Sequence, residues 1–127
     1  MPGDQVRTRT ARIDRTPGGV VVVRIDADAL QSVEDARENV AAAFRVGGER
    51  RPLLIDMREA QPLPPETRHF YSGRLLTDSF TALGLLVRTG AFGRMLGNVY
   101  LRIARPGIPS RLFEDEGDAL GWLGGVK

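Results

Sequence analysis

The sequence predicts an α/β protein of one domain: a mixed β-sheet of four to five strands with helices mainly on one face. Three observations lead there. A strong turn signal, Thr16-Pro17-Gly18-Gly19, separates two strand-like runs near the start. Further along, stretches of helical apolar period alternate with short continuous apolar runs, in the order β-β-α-β-α-β-α-β-α. Finally, 127 residues without a repeat, low-complexity tract or linker suit one core, which would bury roughly two-thirds of the unfolded surface.

Each element has a local reason. Residues 8–14 (TRTARID) alternate, with Ala11 and Ile13 set against arginines, as a half-buried strand does. Residues 20–25 (VVVVRI) are β-branched and apolar on both faces, so this second hairpin strand is expected to be central rather than an edge. The period then changes. Ser32 is a good N-cap with Asp35 three positions on; Val33, Ala36, Val40, Ala43 and Phe44, with Ala41 beside them, share a helical face; Gly47-Gly48 ends the helix. Residues 53–57 (LLIDM) read as a short buried strand. A second helix is expected over residues 64–80, with Pro64 and Pro65 at its entry and Glu66 near the positive end of its dipole.

Residues 81–87 (TALGLLV) read as a further buried strand, although the two adjacent leucines also suit a helix. Residues 89–98 (TGAFGRMLGN) read as a short glycine-interrupted helix, with Gly97-Asn98 turning into another strand over 99–103 (VYLRI). After a turn (ARPGIPS), RLF is a short extended piece. The closing EDEGDALGWL helix is expected to turn Ala119, Leu120, Trp122 and Leu123 inward, and residues 1 to about 7 are expected to be flexible.

Composition narrows the function classes. There is no cysteine, which excludes disulfides, thiolate chemistry and cysteine metal sites and agrees with a cytoplasmic location. No segment resembles a signal peptide, and no apolar run approaches the roughly 20 residues of a membrane span. Of the 18 basic residues, 17 are arginine, and they are interspersed with acids along the chain. That describes a solvated mixed-sign surface; a nucleic-acid partner would call for basic clustering.

A right-handed crossover between the strands at 53–57 and 81–87 places the loops after both strands on one rim of the sheet. Residues 56–67 and 88–94 are therefore expected to be neighbours. Asp56 and Glu59 could pair as acid and base there, but a strand-end aspartate more commonly organises the following loop, with Arg58 and Arg68 as natural partners. His69 is the only histidine, so a metal would need Asp56, Glu59 or Glu66 beside it, without any HExxH-like spacing; no metal or cofactor is expected. As a general base it would need a nucleophile, and Ser72, three residues on, lacks a strand-turn-helix elbow. Gly90, Gly93 and Gly97 follow a strand and open a helix, where backbone amides with Arg88, Thr89 and Arg94 could hold an anion; their spacing fits neither a dinucleotide fingerprint nor a Walker loop. Phe70, Tyr71, Leu75, Leu76 and Phe80 spread around the second helix more widely than one core stripe requires, and Phe92, Met95 and Leu96 add apolar surface nearby. Either these residues are core, or Phe70, Leu75, Phe92 and Met95 line a surface for a partner chain or a small apolar ligand.

The segments RPLLIDMREAQPLPPETRHFYSG, LLVRTGAFGRMLGNVYLRIARPGIPSRLF and EDEGDALGWL resemble a bacterial group of small STAS/SpoIIAA-like proteins. The match runs over about residues 52–123. It includes the Asp56-Met57-Arg58 step, Arg68-His69-Phe70, Gly97-Asn98, the run from Arg105-Pro106 to Phe113, and Ala119-Leu120 with Trp122-Leu123. The resemblance implies a kinship with anti-sigma factor antagonists, which present a serine at the start of the helix after the equivalent strand. Phosphorylation there adds about −1.5 to −2 charges and changes partner binding. Counted from Asp56, that serine would fall near Pro65 or Glu66, and this chain has no serine there. Either the switch is lost, or Glu66 supplies a fixed charge, or Thr67 is the acceptor.

The resemblance thus implies binding rather than catalysis: a non-enzymatic regulatory or protein-interaction domain. Its working rim would comprise Arg58, Glu66, Thr67, His69, Tyr71, Arg88, Thr89 and Arg94. A protein partner is expected, with a homodimer through an exposed edge strand and apolar helix surface also open. The alternative is a carrier or sensor of a small apolar or anionic ligand held between the second and third helices. An enzyme using Asp56, Glu59 or His69 is the third reading.

Overall fold

The structure, a computed structural model, describes residues 5–103 and 107–125. One six-stranded sheet runs through it in sequential order: β1 (Val6–Arg7), β2 (Ala11–Arg15), β3 (Val21–Ile25), β4 (Arg51–Asp56), β5 (Phe80–Leu86) and β6 (Ser110–Phe113). The first three strands pair antiparallel, and β3 to β6 pair parallel. Helices α1 (Val33–Gly47), α2 (Pro65–Tyr71), α3 (Leu75–Ser79) and α4 (Ala91–Ile103) fill the crossovers, and α5 (Glu116–Gly124) follows β6. The α/β class and the one-sided helices are as expected, with one strand more than the upper count.

Alternation along the central strands explains the layering. Val21, Val23, Leu53, Leu83 and Leu85 face one way and are covered by Val40, Ala43 and Val46 of α1, Leu76 of α3 and Tyr100 of α4. Val20, Val22, Leu54, Ala82, Leu86 and Phe113 face the other way, under Ala119 and Leu123 of α5. Crossovers of one hand in a sequentially ordered sheet leave their helices on one side, so only the terminal α5 reaches the second face. The strand order never reverses, and the sheet therefore has no switch-point crevice.

α1 obeys its local signals. Ser32 and Asp35 form a reciprocal capping box, with Ser32 Oγ accepting from the Asp35 amide at 3.1 Å and Asp35 Oδ2 accepting from the Ser32 amide at 2.9 Å. Gly48 closes the helix at φ 78°, where a side chain would be strained. Ala36, Val40 and Ala43 are buried as expected, but Phe44 is 40% exposed.

Four expectations need correction. Val6 and Arg7 belong to an edge strand, while residues 1–4 lie outside the described residues, as do 104–106 of the predicted turn. The second helix is two, because Ser72 and Gly73 break it between α2 and α3. RLF is a full parallel strand, β6. Residues 99–103 are helix, not strand. Gly97 lies on the face of α4 that meets the sheet, where a Cβ would stand 2.3 Å from Leu112 Cδ1 and 3.0 Å from Val87 Cγ1; a Cβ on Gly93 would instead meet the Arg88 carbonyl of the loop before the helix at 2.1 Å. Gly97 lets α4 sit close to the sheet, and that packing overrides the β-propensity of Val99 and Tyr100.

Candidate functional site

The loops after β4 and β5 do meet at the carboxyl rim. Arg88 Nε donates to the Arg58 carbonyl at 3.1 Å, and the Met57 amide donates to the Leu86 carbonyl at 3.0 Å. A third loop, after β3, is laced to them: the Asp28 amide donates to the Glu59 carbonyl at 2.8 Å and the Gln61 amide to the Ala29 carbonyl at 3.1 Å. Asp28 adopts φ 60° to make this turn. Between the loops and the start of α4 lies a groove of about 430 Å³, walled by Arg58, Glu59, Pro62, Arg88, Thr89 and Phe92 among others.

The predicted rim is split. Arg58, Arg88 and Thr89 border the groove, joined by Phe92 of the predicted apolar surface; Glu66, Thr67, His69 and Tyr71 lie outside it because α2 begins beyond its wall, and Arg94 is not among its lining residues. Glu66 and His69 are exposed on α2. Thr67 is fully buried, and its Oγ1 donates to the Gln31 carbonyl at 2.8 Å. While α2 is folded no kinase can reach that hydroxyl, which removes the geometric basis for Thr67 as an acceptor. Tyr71 also points inward and donates to Gln31 Oε1 at 2.9 Å; burial, with the nearby Asp35 charge, raises its pKa. Both belong to a buried polar network in which Asn39 Nδ2 donates to Thr10 Oγ1 at 2.9 Å and Thr8 Oγ1 donates to Asn39 Oδ1. That network joins the β1–β2 turn, α1 and α2.

The anion expected at residues 88–94 is provided by the chain itself. Glu114 Oε2, at the end of β6, accepts from the Gly90 amide and from Arg94 Nη1, both at 3.1 Å. Arg88 is turned away from this point, toward the Arg58 carbonyl.

On the α5 face, Asp56 is held in a closed cluster. Arg58 contributes Nε at 2.9 Å and Nη2 at 2.8 Å, its amide adds a bond at 3.2 Å, and Arg24 Nη1 approaches at 3.2 Å. Arg24 in turn grips Glu116 through two bonds of 2.8 and 2.9 Å. Burial pushes the Asp56 pKa up, but the hydrogen bonds and charges of Arg58 and Arg24 outweigh it and leave it below the usual value. Glu116 is lowered mainly by its bonds to Arg24. Two paired, ionised carboxylates are poorly suited to general acid work, and this cluster organises the loop and ties α5 to the rim. Arg68, the other expected partner of Asp56, instead donates to the Leu63 carbonyl at 3.0 Å. Sequence reading missed Arg24 and Glu116, although a lone charge in an apolar strand (VVVVRI) was a signal that a partner must exist. Among the described residues no group of three or more His, Cys, Asp or Glu side chains is placed to hold a metal.

The apolar residues divide too. Phe70 is half-buried, stacked under Arg37 at 5.1 Å and edge-on to Tyr71 at 5.6 Å. Leu75 is 43% exposed, whereas Phe92 and Met95 reach 66% and 54% on the outer side of α4. The space expected to take a ligand, between α2, α3 and α4, is an apolar cavity of about 40 Å³ lined by Tyr71, Leu76, Leu83 and Tyr100. At roughly 10–15 Å³ per water that is room for a few water molecules, and a larger guest would require the helices to move.

Sequential sheet, one-sided crossover helices and a separate terminal helix define a SpoIIAA-like α/β domain. The same fold is seen in the crystal structure of an uncharacterised protein of the DUF3478 family from Shewanella loihica PV-4, described as SpoIIAA-like, with a TM-score of 0.63 and 18% identity over 89% of this chain and 91% of that one. At that identity the likeness speaks to the fold alone. The chain itself belongs to the family described as Domain of unknown function (DUF7793), whose model matches residues 15–127. No curated protein matches the sequence. No helix among the described residues is long and apolar enough to cross a membrane.

Proposed function

We propose that this SpoIIAA-like domain works by binding another protein chain, through the outer face of α4 and the groove beside it, without a phosphorylated residue at the start of α2. The observation that carries the reading is the exposure of Phe92 and Met95 on a helix whose opposite face is already packed. Two large adjacent apolar side chains in water are a standing cost, and clusters of this kind mark interaction surfaces. Arg88 and Thr89 stand at the groove wall beside Phe92, and arginine with aromatic side chains is the combination interface centres favour. The buried Thr67 argues against a phospho-switch of the kind the resemblance implied.

The test compares affinity purifications of the wild type and a Phe92→Ser, Met95→Ser variant from native lysate. A defined set of proteins held by the wild type and lost by the folded variant is expected. Identical sets would sink the assignment of α4.

A further inference from the structure

Between Asp78 and Glu114 the chain contains no acidic residue but five arginines: Arg88, Arg94, Arg102, Arg105 and Arg111. This departs from the mixed-sign pattern of the rest, and the stretch builds β5, α4 and β6. Within it only Arg94 is paired to a carboxylate among the described residues, that of Glu114. Arg88 donates to a carbonyl, and the Arg102 side chain has no ion pair or hydrogen bond among the described residues. Phe92, Met95, Val99 and Arg102 follow one another at spacings of three, four and three residues, which aligns them as a single stripe on α4. Phe92 and Met95 are exposed and Val99 is half-buried. The stripe is flanked by two hollows: the rim groove at its start and another of about 550 Å³, bounded by Met95, Asn98, Val99, Leu101 and Arg102, at its end.

We propose that this face receives an acidic amphipathic segment of a partner protein, whose apolar side chains cover Phe92 and Met95 and whose carboxylates reach Arg88 and Arg102. This rests on the interaction reading above and adds the chemistry of the partner. Charge complementarity selects the occupant. A second copy docked through α4 in a two-fold dimer would set one acid-free helix against another. A flat anionic bilayer would leave both hollows unfilled.

The full chain is panned against a random linear-peptide library, and the selected peptides are measured by fluorescence anisotropy at low and raised salt. Selected sequences are expected to combine an excess of Asp and Glu with apolar residues at helical spacing. Their affinity should fall about tenfold or more in Phe92→Ser, Met95→Ser and in Arg88→Glu, Arg102→Glu, the loss expected of a hot spot. Binders without acidic excess that are lost in the Phe92/Met95 variant would overturn the acidic chemistry and leave the interaction reading standing. Binders indifferent to that variant would overturn both. Binding to phosphatidylserine vesicles, or self-association in light scattering, that is abolished by either variant while no acidic peptide is selected would also overturn the proposal. Circular dichroism checks folding, and the exposed charge-reversal pair keeps the test decisive if the serine pair fails to fold.

Discussion

α1 and α4 are both crossover helices on the same face of the same sheet, yet they meet water differently. α1 has a reciprocal capping box, a left-handed glycine at its end, and Glu34, Arg37, Glu38 and Arg45 on its exposed side. α4 has no acid in its first turn, its incoming carboxylate is borrowed from Glu114, and its exposed side carries Phe92 and Met95. One helix is stabilised by its own sequence, and the other is held by what it packs against. The difference shows that a helix made for the core alone would not need α4's second apolar face.

The contrast can be broken most severely at Gly97. A Gly97→Leu side chain must occupy space already held by Leu112 and Val87, so a loss of about 3 kcal/mol is expected in urea unfolding, whereas Ala41→Leu on exposed α1 should stay within about 0.5 kcal/mol. A wild-type midpoint for Gly97→Leu would show that α4 does not sit this close to the sheet. Next is Asp35→Ala, which removes the capping box and the partner of Arg9 together. The expected cost is about 2 kcal/mol, read from the denaturation midpoint.

The same carboxylate produces an acid dependence. The bonds from Arg9, opposed by burial and helped by those from Ser32, hold the Asp35 pKa at about 2 against a usual 3.8. A depressed folded pKa stabilises above the unfolded value, so the contribution is complete above about pH 4 and is lost as pH falls through about 2. Allowing for the solvent-exposed Arg9, about 1–2 kcal/mol of acid-dependent stability is expected, and Asp35→Asn should flatten the profile in that window. An unchanged profile would exclude Asp35 as its source. The smallest effect on stability belongs to Phe92→Ser, within about 0.5 kcal/mol, because the side chain is already largely in water. A large destabilisation there would mean that Phe92 is packed after all, and would remove the case for a docking face.

How far the sequence could be read follows the range of the forces involved. α1, the Thr16–Gly19 turn and the central β3 were legible because caps, turn residues and β-branched runs act over a few positions. Residues 99–103 were misread because Val99 and Tyr100 favour a strand locally, while Gly97 acts only once β6 lies beside it. Asp56 was read correctly as a loop organiser with Arg58, yet Arg24, 32 residues before Asp56, and Glu116, 58 residues beyond its own partner Arg58, were invisible as members of the cluster.

By itself, then, the sequence determined the α/β class, the alternation that gives the sheet two apolar faces, and the missing serine at the start of α2. Only the tertiary structure decided that Thr67 is buried, that Glu114 occupies the start of α4, and that Phe92 and Met95 are left in water. Period and capping are properties of neighbouring residues, but burial depends on what the rest of the chain brings to the other side, and no local pattern records that.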